Sequence, residues 1–537
     1  MNEALEYLQT FARFPFALRK FLQQRLTLDD AKRIVREGME HREENFLRMV
    51  DRSVYGYPNS PYLPLLKMAG CELGDLRARV QQKGLEGALR DLRAAGVYIT
   101  FEEFKGRQPI IRNGLTIPVM ARDFDNPSMQ RVFTLETGGS SGAAMNVGVD
   151  LDFVLDRSPH ELLSLLAHDC LDAPSIRWNG ILPAGTLRNI MRQIPFGHVP
   201  TRWFSPVGLR DSRHWLKYAA ATYYIIFWLR LLGVRVPFPE YVGVEKSELV
   251  ARAMGALLAT HPSCLIHCSV SRALRVSLAA QKLGIDLAGA NFSISSEPAT
   301  LAKAKGILQS GGRCLPNYGT VETNRIATGC ATPNAIDDMH VFKDAFVLFD
   351  HPYPIPGFGI TVPAFNLTNL IPTAPKVMLN VQMDDYGVVE ERSCGCELAN
   401  FGYTTHLREI RSYTKLTGEG VTLIGNEILS VLENVLPTRF GGSPLDYQLV
   451  EEEDAQGFTR LCLVISPRVA IADEHQVIDV MLQALSHSSP MADAASTIWQ
   501  QTHTLQIKRM EPQRTARGKL LPLYLLQRPQ NSETQRG

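Results

Sequence analysis

With 537 residues the chain exceeds what one simple core holds, and two to four domains are expected. Its 56 Lys and Arg stand against 55 Asp and Glu, a formal net charge of +1 that excludes a global field directed at nucleic acid or an anionic membrane. Nine cysteines, together with Glu3 and Glu6 where a secretory leader would be cationic and then apolar, make the reducing cytoplasm the expected compartment.

Residues 1–105 are expected to form a helical layer on the core. Thr27-Leu28-Asp29-Asp30 is a helix start, a hydroxyl cap ahead of an acidic first turn. The segment from Asp30 to Arg52 is charged and amphipathic, Leu76 to Ala94 is a second helical stretch ended by Gly96, and Tyr98 to Phe101 has strand character. Over 108–150 the pattern changes to short strands and turns, and Arg131-Val132-Phe133-Thr134-Leu135 opens into Glu136-Thr137-Gly138-Gly139-Ser140-Ser141-Gly142-Ala143-Ala144. Backbone N–H groups of such small residues can converge on an anion, and the same composition also serves a flexible turn. The absence of a lysine separates it from the G-x-x-x-x-G-K-[ST] loop.

Between 151 and 310 apolar strands alternate with helices, as in an α/β sheet. Helices are expected from His160 to Leu171, Ser269 to Leu283 and Thr300 to Ser310; the apolar run from Tyr218 to Leu229 is too short to span a bilayer and reads as a buried helix. Asn291-Phe292-Ser293-Ile294-Ser295 is a buried strand ending at Ser296-Glu297-Pro298, and ligands of open α/β sheets bind at the carboxyl ends of strands. Next comes Asn317-Tyr318-Gly319-Thr320-Val321-Glu322: an aromatic face for a purine, a glycine for close backbone approach, a hydroxyl for phosphate and a carboxylate for Mg²⁺. Residues 341–410 are β-rich, with a strand from Val377 to Met383 ending in the turn Asp384-Asp385-Tyr386-Gly387. Residues 412–537 form a small β-β-α-β unit, with a hairpin turning at Asp454-Ala455-Gln456-Gly457, a helix near Glu474 to Leu485, a strand near Thr504 to Lys508 and Gly518-Lys519 beyond it.

In this order the pieces resemble the adenylate-forming enzymes: acyl-CoA synthetases, carrier-loading adenylation domains and luciferases. The branch most resembled is that of phenylacetate-CoA ligases and CapK-like proteins. The resemblance covers residues 90–525 and implies an α/β fold. A large N-terminal AMP-binding domain of mixed sheets and helices would span 1–410, with 1–105 a mainly helical lead-in, and a small mobile α+β domain over 411–537 would carry the catalytic lysine. It implies a phosphate loop at Thr137, Gly138, Gly139, Ser140, Ser141 and Gly142, an adenine-side turn at Ser296, Glu297 and Pro298, and adenine stacking at Tyr318 and Gly319. Thr320, Glu322 and Lys519 would be catalytic, with Mg²⁺ on Glu322; Asp385 would hold the ribose and Arg411 would lie at the hinge.

The implied activity is ATP-dependent conversion of an aryl or acyl carboxylic acid to an acyl-adenylate, then a thioester with CoA. Transfer to a carrier-protein thiol or an amine is one alternative, and a non-catalytic homologue another. The partners would be a small acid and a CoA or carrier thiol, with no nucleic acid and no membrane, in a monomer or dimer. Two departures support the last alternative: Ala143-Ala144-Met145-Asn146 lacks the family's loop lysine, and Gln382-Met383-Asp384-Asp385 replaces Arg-x-x-Gly-Asp. The resembled branch often carries a zinc cluster, and Cys330, His340, Cys394 and Cys396 match it; three thiolates and an imidazole suit structural Zn²⁺. Reduced core thiols beside an unrelated histidine are the other reading of those four residues.

Overall fold

A twelve-stranded sheet organises the computed structural model, which describes residues 3–129, 132–136, 146–182, 184–208, 215–354, 361–412, 415–418, 421–424, 428, 430–486, 490–513 and 523–525. One half is parallel: Ala290–Ser295 lies between Arg313–Thr320 and Cys264–Ser269, followed by Ser175–Trp178, Arg202–Ser205 and Pro239–Tyr241. Cys264–Ser269 and Ser175–Trp178 are buried at every position, as strands covered on both faces must be. The other half is antiparallel and runs through Asn324–Gly329, Met339–Val341, Thr405–Ser412, Val381–Glu391 and Thr361–Asn369 to the edge strand Phe346–Pro354. Arg313–Thr320 is the seam. Its first residues pair in parallel with Ala290–Ser295, and its last pair antiparallel with Asn324–Gly329.

Local chemistry explains several helix starts. Thr27 caps Leu28–Glu40 and Asp30 completes the capping box, as the sequence leads one to expect. Ser269 caps Val270–Leu283 and Thr300 caps Leu301–Gln309, each side-chain oxygen accepting from the backbone N–H three residues on. The helical stretch expected from Asp30 to Arg52 is divided into Leu28–Glu40 and Arg42–Val50. Ala31 and Val35 are buried, and Leu28–Glu40 packs on Ser158–Ala167.

Three expectations need correction. Asp384-Asp385-Tyr386-Gly387 is not a hairpin turn. It lies inside the strand Val381–Glu391, because Thr361–Asn369 and Thr405–Ser412 supply ladder partners on both sides. The register shifts between Tyr386 and Val388, and a Cβ on Gly387 would sit 2.8 Å from the Arg408 carbonyl oxygen. Tyr98 to Phe101 yields only an isolated bridge from Ile99 to Val381, since Thr100 and Glu103 form a capping box for the single turn Phe101–Phe104. Among its described residues the C-terminal unit has two α-helices beyond the expected one, Leu436–Phe440 and Pro490–Thr502, and its sheet runs Leu505–Arg509, Thr459–Ile465, Tyr447–Glu453, Leu523–Leu525. The architecture is thus a large mixed α/β region with a smaller α+β region after it. Among the described residues no helix is long and apolar enough to cross a membrane.

Candidate functional site

The stretch Tyr318 to Glu322 leaves the seam strand as a bulged, tightly turned hairpin. The register shifts between Tyr318 and Gly319, Thr320 pairs with Asn324, and Asn324 takes a left-handed φ of 62°. Gly319 is required by this close approach, because a Cβ there would collide with the Asn324 carbonyl oxygen. The Thr320 and Thr323 hydroxyls meet at 3.0 Å across the turn.

Three separate parts of the chain hold this hairpin. From the antiparallel half, Asp385 accepts a hydrogen bond from Tyr318 Oη at 2.9 Å. Burial, reinforced by the Asp385 charge, raises the Tyr318 phenol well above its ordinary range, so it remains a donor. From the helical lead-in, Lys105 Nζ meets Glu322 Oε1 at 2.5 Å, with both side chains at least nine-tenths buried. Burial opposes ionisation of Glu322, but the Lys105 ammonium, together with hydrogen bonds from the Glu322 backbone and Thr320, lowers the carboxyl to about 2. From the third side, Arg188 donates to the Val321 carbonyl at 2.6 Å and Arg192 donates to Asn324 Oδ1. Arg192 and Arg325 both pair with buried Glu161, at 2.5 and 3.1 Å. That carboxyl is also lowered against the effect of burial, by Arg192 first and Arg325 second. Lys105, Arg188, Arg192 and Glu161 carried no signal in the sequence: Lys105 and Glu322 are 217 positions apart, and an isolated lysine after a short helix reads as solvated.

The other expected nucleotide residues are more varied in placement. Ser296 follows the strand Ala290–Ser295 with a left-handed φ of 70°, an uncommon conformation for a residue other than glycine. The Glu297 carboxylate turns into the protein: it accepts from the Ser271 N–H and hydroxyl and pairs with Lys303 at 3.1 Å. Lys303 in turn donates to Thr459 of the C-terminal unit at 2.8 Å. Glu297 therefore holds the Ser296–Pro298 turn from behind. Arg411 lies opposite Tyr386, one pair from Asp385 and Ser412, and donates to the Ile410 carbonyl at 2.8 Å. The strand that carries it extends to Ser412. Thr137, Gly138, Gly139, Ser140, Ser141 and Gly142 lie outside the described residues, in the connection between the paired strands Phe133–Glu136 and Asn146–Val149. Lys519 also lies outside them. Phe292 and Ile294 of the strand Ala290–Ser295 are core side chains, as a buried strand requires.

Fewer than 90 residues after Glu322 in sequence, Cys330, His340, Cys394 and Cys396 converge so that one ligand atom from each lies within 4.8 Å of all the others. His340 is fully buried and its Nδ1 is 2.6 Å from the Tyr403 carbonyl oxygen, which can only accept; the proton is therefore on Nδ1. The opposite nitrogen, Nε2, faces Cys396 Sγ at 3.1 Å and Cys394 Sγ at 3.5 Å. A backbone carbonyl that fixes the tautomer and points the other nitrogen at two thiols is the outer support expected of a histidine ligand. The Cys330 hydrogen bond, aided by His340, lowers the Cys396 thiol well below its ordinary range. The donor set fits tetrahedral Zn²⁺.

No protein-family model matches the sequence, and neither does any curated protein. The fold has solved counterparts. 2-Hydroxyisobutyryl-CoA ligase, crystallised with 2-HIB-AMP and CoA in the thioesterification state, is similar with a TM-score of 0.52 at 12% identity, over 91% of this chain and 90% of that one. The same ligase in its postadenylation state gives 0.43 at 12% identity over 92% and 89%. An amide bond synthetase from Marinactinospora thermotolerans gives 0.41 at 12% identity over 91% and 97%. At such identity the likeness is one of fold alone: the large mixed α/β region and the small α+β region after it follow the architecture of 2-hydroxyisobutyryl-CoA ligase.

Proposed function

We propose that this protein activates a small carboxylic acid with ATP. The acid's oxygen attacks the α-phosphorus, the bond to pyrophosphate breaks, and an acyl-adenylate results. The acyl group then passes to the thiol of CoA, as in the phenylacetate-CoA ligase branch that the sequence resembles. The reading is carried by one observation above the others: Tyr318 and Asp385, 67 positions apart, meet in a 2.9 Å hydrogen bond beside the ionised Glu322. An aromatic face next to a fixed carboxylate is what a nucleoside needs, the ring for the base and the carboxylate for the ribose hydroxyls.

A carboxylate is a poor electrophile, and the mixed anhydride supplies a good leaving group. The transition state gathers negative charge on phosphorus oxygens, and Lys519 would reach it electrostatically from the C-terminal unit, 411–537, acting as a mobile lid. Mg²⁺ held by Glu322 would supply further neutralisation of the phosphates. Thr320 and the small-residue loop at 137–142 would add donors to the phosphate oxygens, the Ser296–Pro298 turn would border the base, and Arg411 would serve the hinge. Cys330, His340, Cys394 and Cys396 would hold Zn²⁺ that ties the antiparallel half of the sheet together, away from the chemistry.

ATP–pyrophosphate exchange with a panel of carboxylic acids tests the reading. Exchange with at least one acid is expected, abolished by Lys519→Ala with ATP binding retained. Folded protein that shows neither exchange nor ATP binding overturns it. Adding CoA, a carrier protein or amines to the preformed adenylate identifies the acceptor. A second reading, a nucleotide-binding homologue without turnover, is favoured by the missing loop lysine and by the neutralisation of Glu322 within the protein; binding of ATP without exchange for any acid selects it.

A further inference from the structure

Glu322 is the carboxylate assigned above to Mg²⁺, and it is already paired. Lys105 Nζ lies 2.5 Å from its Oε1, with side-chain exposures of 10% and 6%. The ammonium is itself steadied over two aromatic rings, 5.3 Å from the centre of Phe101 and 5.9 Å from that of Phe104. These rings belong to the single turn Phe101–Phe104, whose capping box and buried Glu103–Arg112 ion pair at 2.8 Å anchor it. Two further buried cations lie close enough to feel Glu322: Lys376, committed to Asp125 and to the Ala121 carbonyl, and Arg188, which donates to the Val321 carbonyl. The pair Lys105–Glu322 is thus a built feature, neutral overall.

We infer that Lys105 is a positioning residue that holds the metal's place: its ammonium is the resident countercation of Glu322, and a divalent ion reaches the carboxylate only by exchange with it. Resting on the nucleotide reading above, this gives the site a condition. A divalent ion alone would add two positive charges beside a displaced ammonium in a buried setting, which is unfavourable. Nucleotide phosphates bring the negative charge that balances both cations. Metal and nucleotide are therefore taken up together.

The test is binding, read without turnover. Mn²⁺ serves as the metal probe by electron paramagnetic resonance on the full chain, and Mg²⁺ is titrated into ATP binding followed by calorimetry. Wild-type protein should bind Mn²⁺ only weakly in the absence of ATP. Lys105→Met should bind it at least tenfold more tightly, and its half-saturating Mg²⁺ for ATP binding should fall several-fold. Lys105→Arg, which keeps the charge and grips a carboxylate with a bidentate fork, should move the Mg²⁺ midpoint the other way. If Lys105→Met does not fold, the Lys105→Arg shift decides alone. Midpoints within twofold of wild type, or moved in the same direction by both variants, overturn the exchange while leaving nucleotide binding intact. A wild-type protein that binds no Mg²⁺–ATP removes the nucleotide reading and this one with it.

Discussion

Among the described residues, two places proposed above to hold a cation, Glu322 and the Cys330, His340, Cys394 and Cys396 cluster, are finished differently. At Glu322 the cation is supplied by the chain itself, in Lys105. At Cys330, His340, Cys394 and Cys396 the chain supplies donors only, and backbone groups pre-set them: the Tyr403 carbonyl orients His340, and the Cys396 N–H donates to Cys394 Sγ at 3.4 Å. The difference separates two purposes. A structural metal is meant to stay, so its donors converge before it arrives and nothing competes for them. A metal that enters and leaves with a substrate needs a carboxylate that is stable when alone, and an internal ammonium provides that stability.

The largest expected effect lies at the thiol cluster. Structural zinc contributes on the order of 10 kcal/mol of binding free energy in zinc-folded peptides. Purified protein should therefore carry about one zinc per chain. Cys396→Ser should remove it and deprive the β-rich half of cooperative unfolding, as read by elemental analysis and circular dichroism. Absence of zinc with an unchanged melt would erase the contrast between the two sites. Next in size is the unpairing of Glu322. Lys105→Met leaves a buried carboxylate alone and should lower stability by about 3–5 kcal/mol in urea unfolding, and adding Glu322→Leu should recover most of it. A loss below about 1 kcal/mol would mean the pair behaves as a solvated surface contact.

Asp385→Ala should weaken ATP binding about 10- to 100-fold in calorimetry, the loss of charge-assisted hydrogen bonds to a ribose. Unchanged affinity would detach Asp385 from the nucleotide and leave it as a partner of Tyr318 only. The smallest effect is one of pH and concerns neither cation. His168, held through Nε2 to the Gly329 carbonyl at 2.9 Å, is lowered to about 4 by burial. Its folded form resists the proton that the unfolded chain accepts below its ordinary value of 6.5. The stability it contributes is thus complete above that pH and is lost as pH falls toward 4. Between pH 6.5 and 5.5 His168 should account for a loss of about 1 kcal/mol, steepening toward about 1.4 kcal/mol per unit just below pH 5.5, and His168→Asn should reduce the measured slope by that share.

Local features were legible. The hydroxyl caps at Thr27, Ser269 and Thr300 start helices because a cap needs only the next three residues. The parallel strands are visible as apolar runs, since burial on both faces leaves no polar positions to mask them. Tyr318, Glu322 and the four metal-cluster residues stood out through spacing and resemblance. The turn expected at Asp384–Gly387 was misread because Asp and Gly carry the same local preference in a hairpin turn and in a bulge; only two flanking strands make it a strand interior. The strand expected at Tyr98–Phe101 yields for a related reason, since the capping box of Thr100 and Glu103 competes for the same residues.

By itself, then, the sequence determined where the capped helices begin and which segments are apolar strands, and it singled out the side chains proposed for a nucleotide and a metal, because those properties are set within a few residues. Only the tertiary structure decided what each of those side chains faces. It set Asp385 against Tyr318, turned Glu297 inward to Lys303, and paired Lys105 with Glu322 across 217 positions. Partners so far apart leave no trace in local pattern, and burial, which turns an ordinary lysine into the decisive charge of the site, exists only once the chain has folded around it.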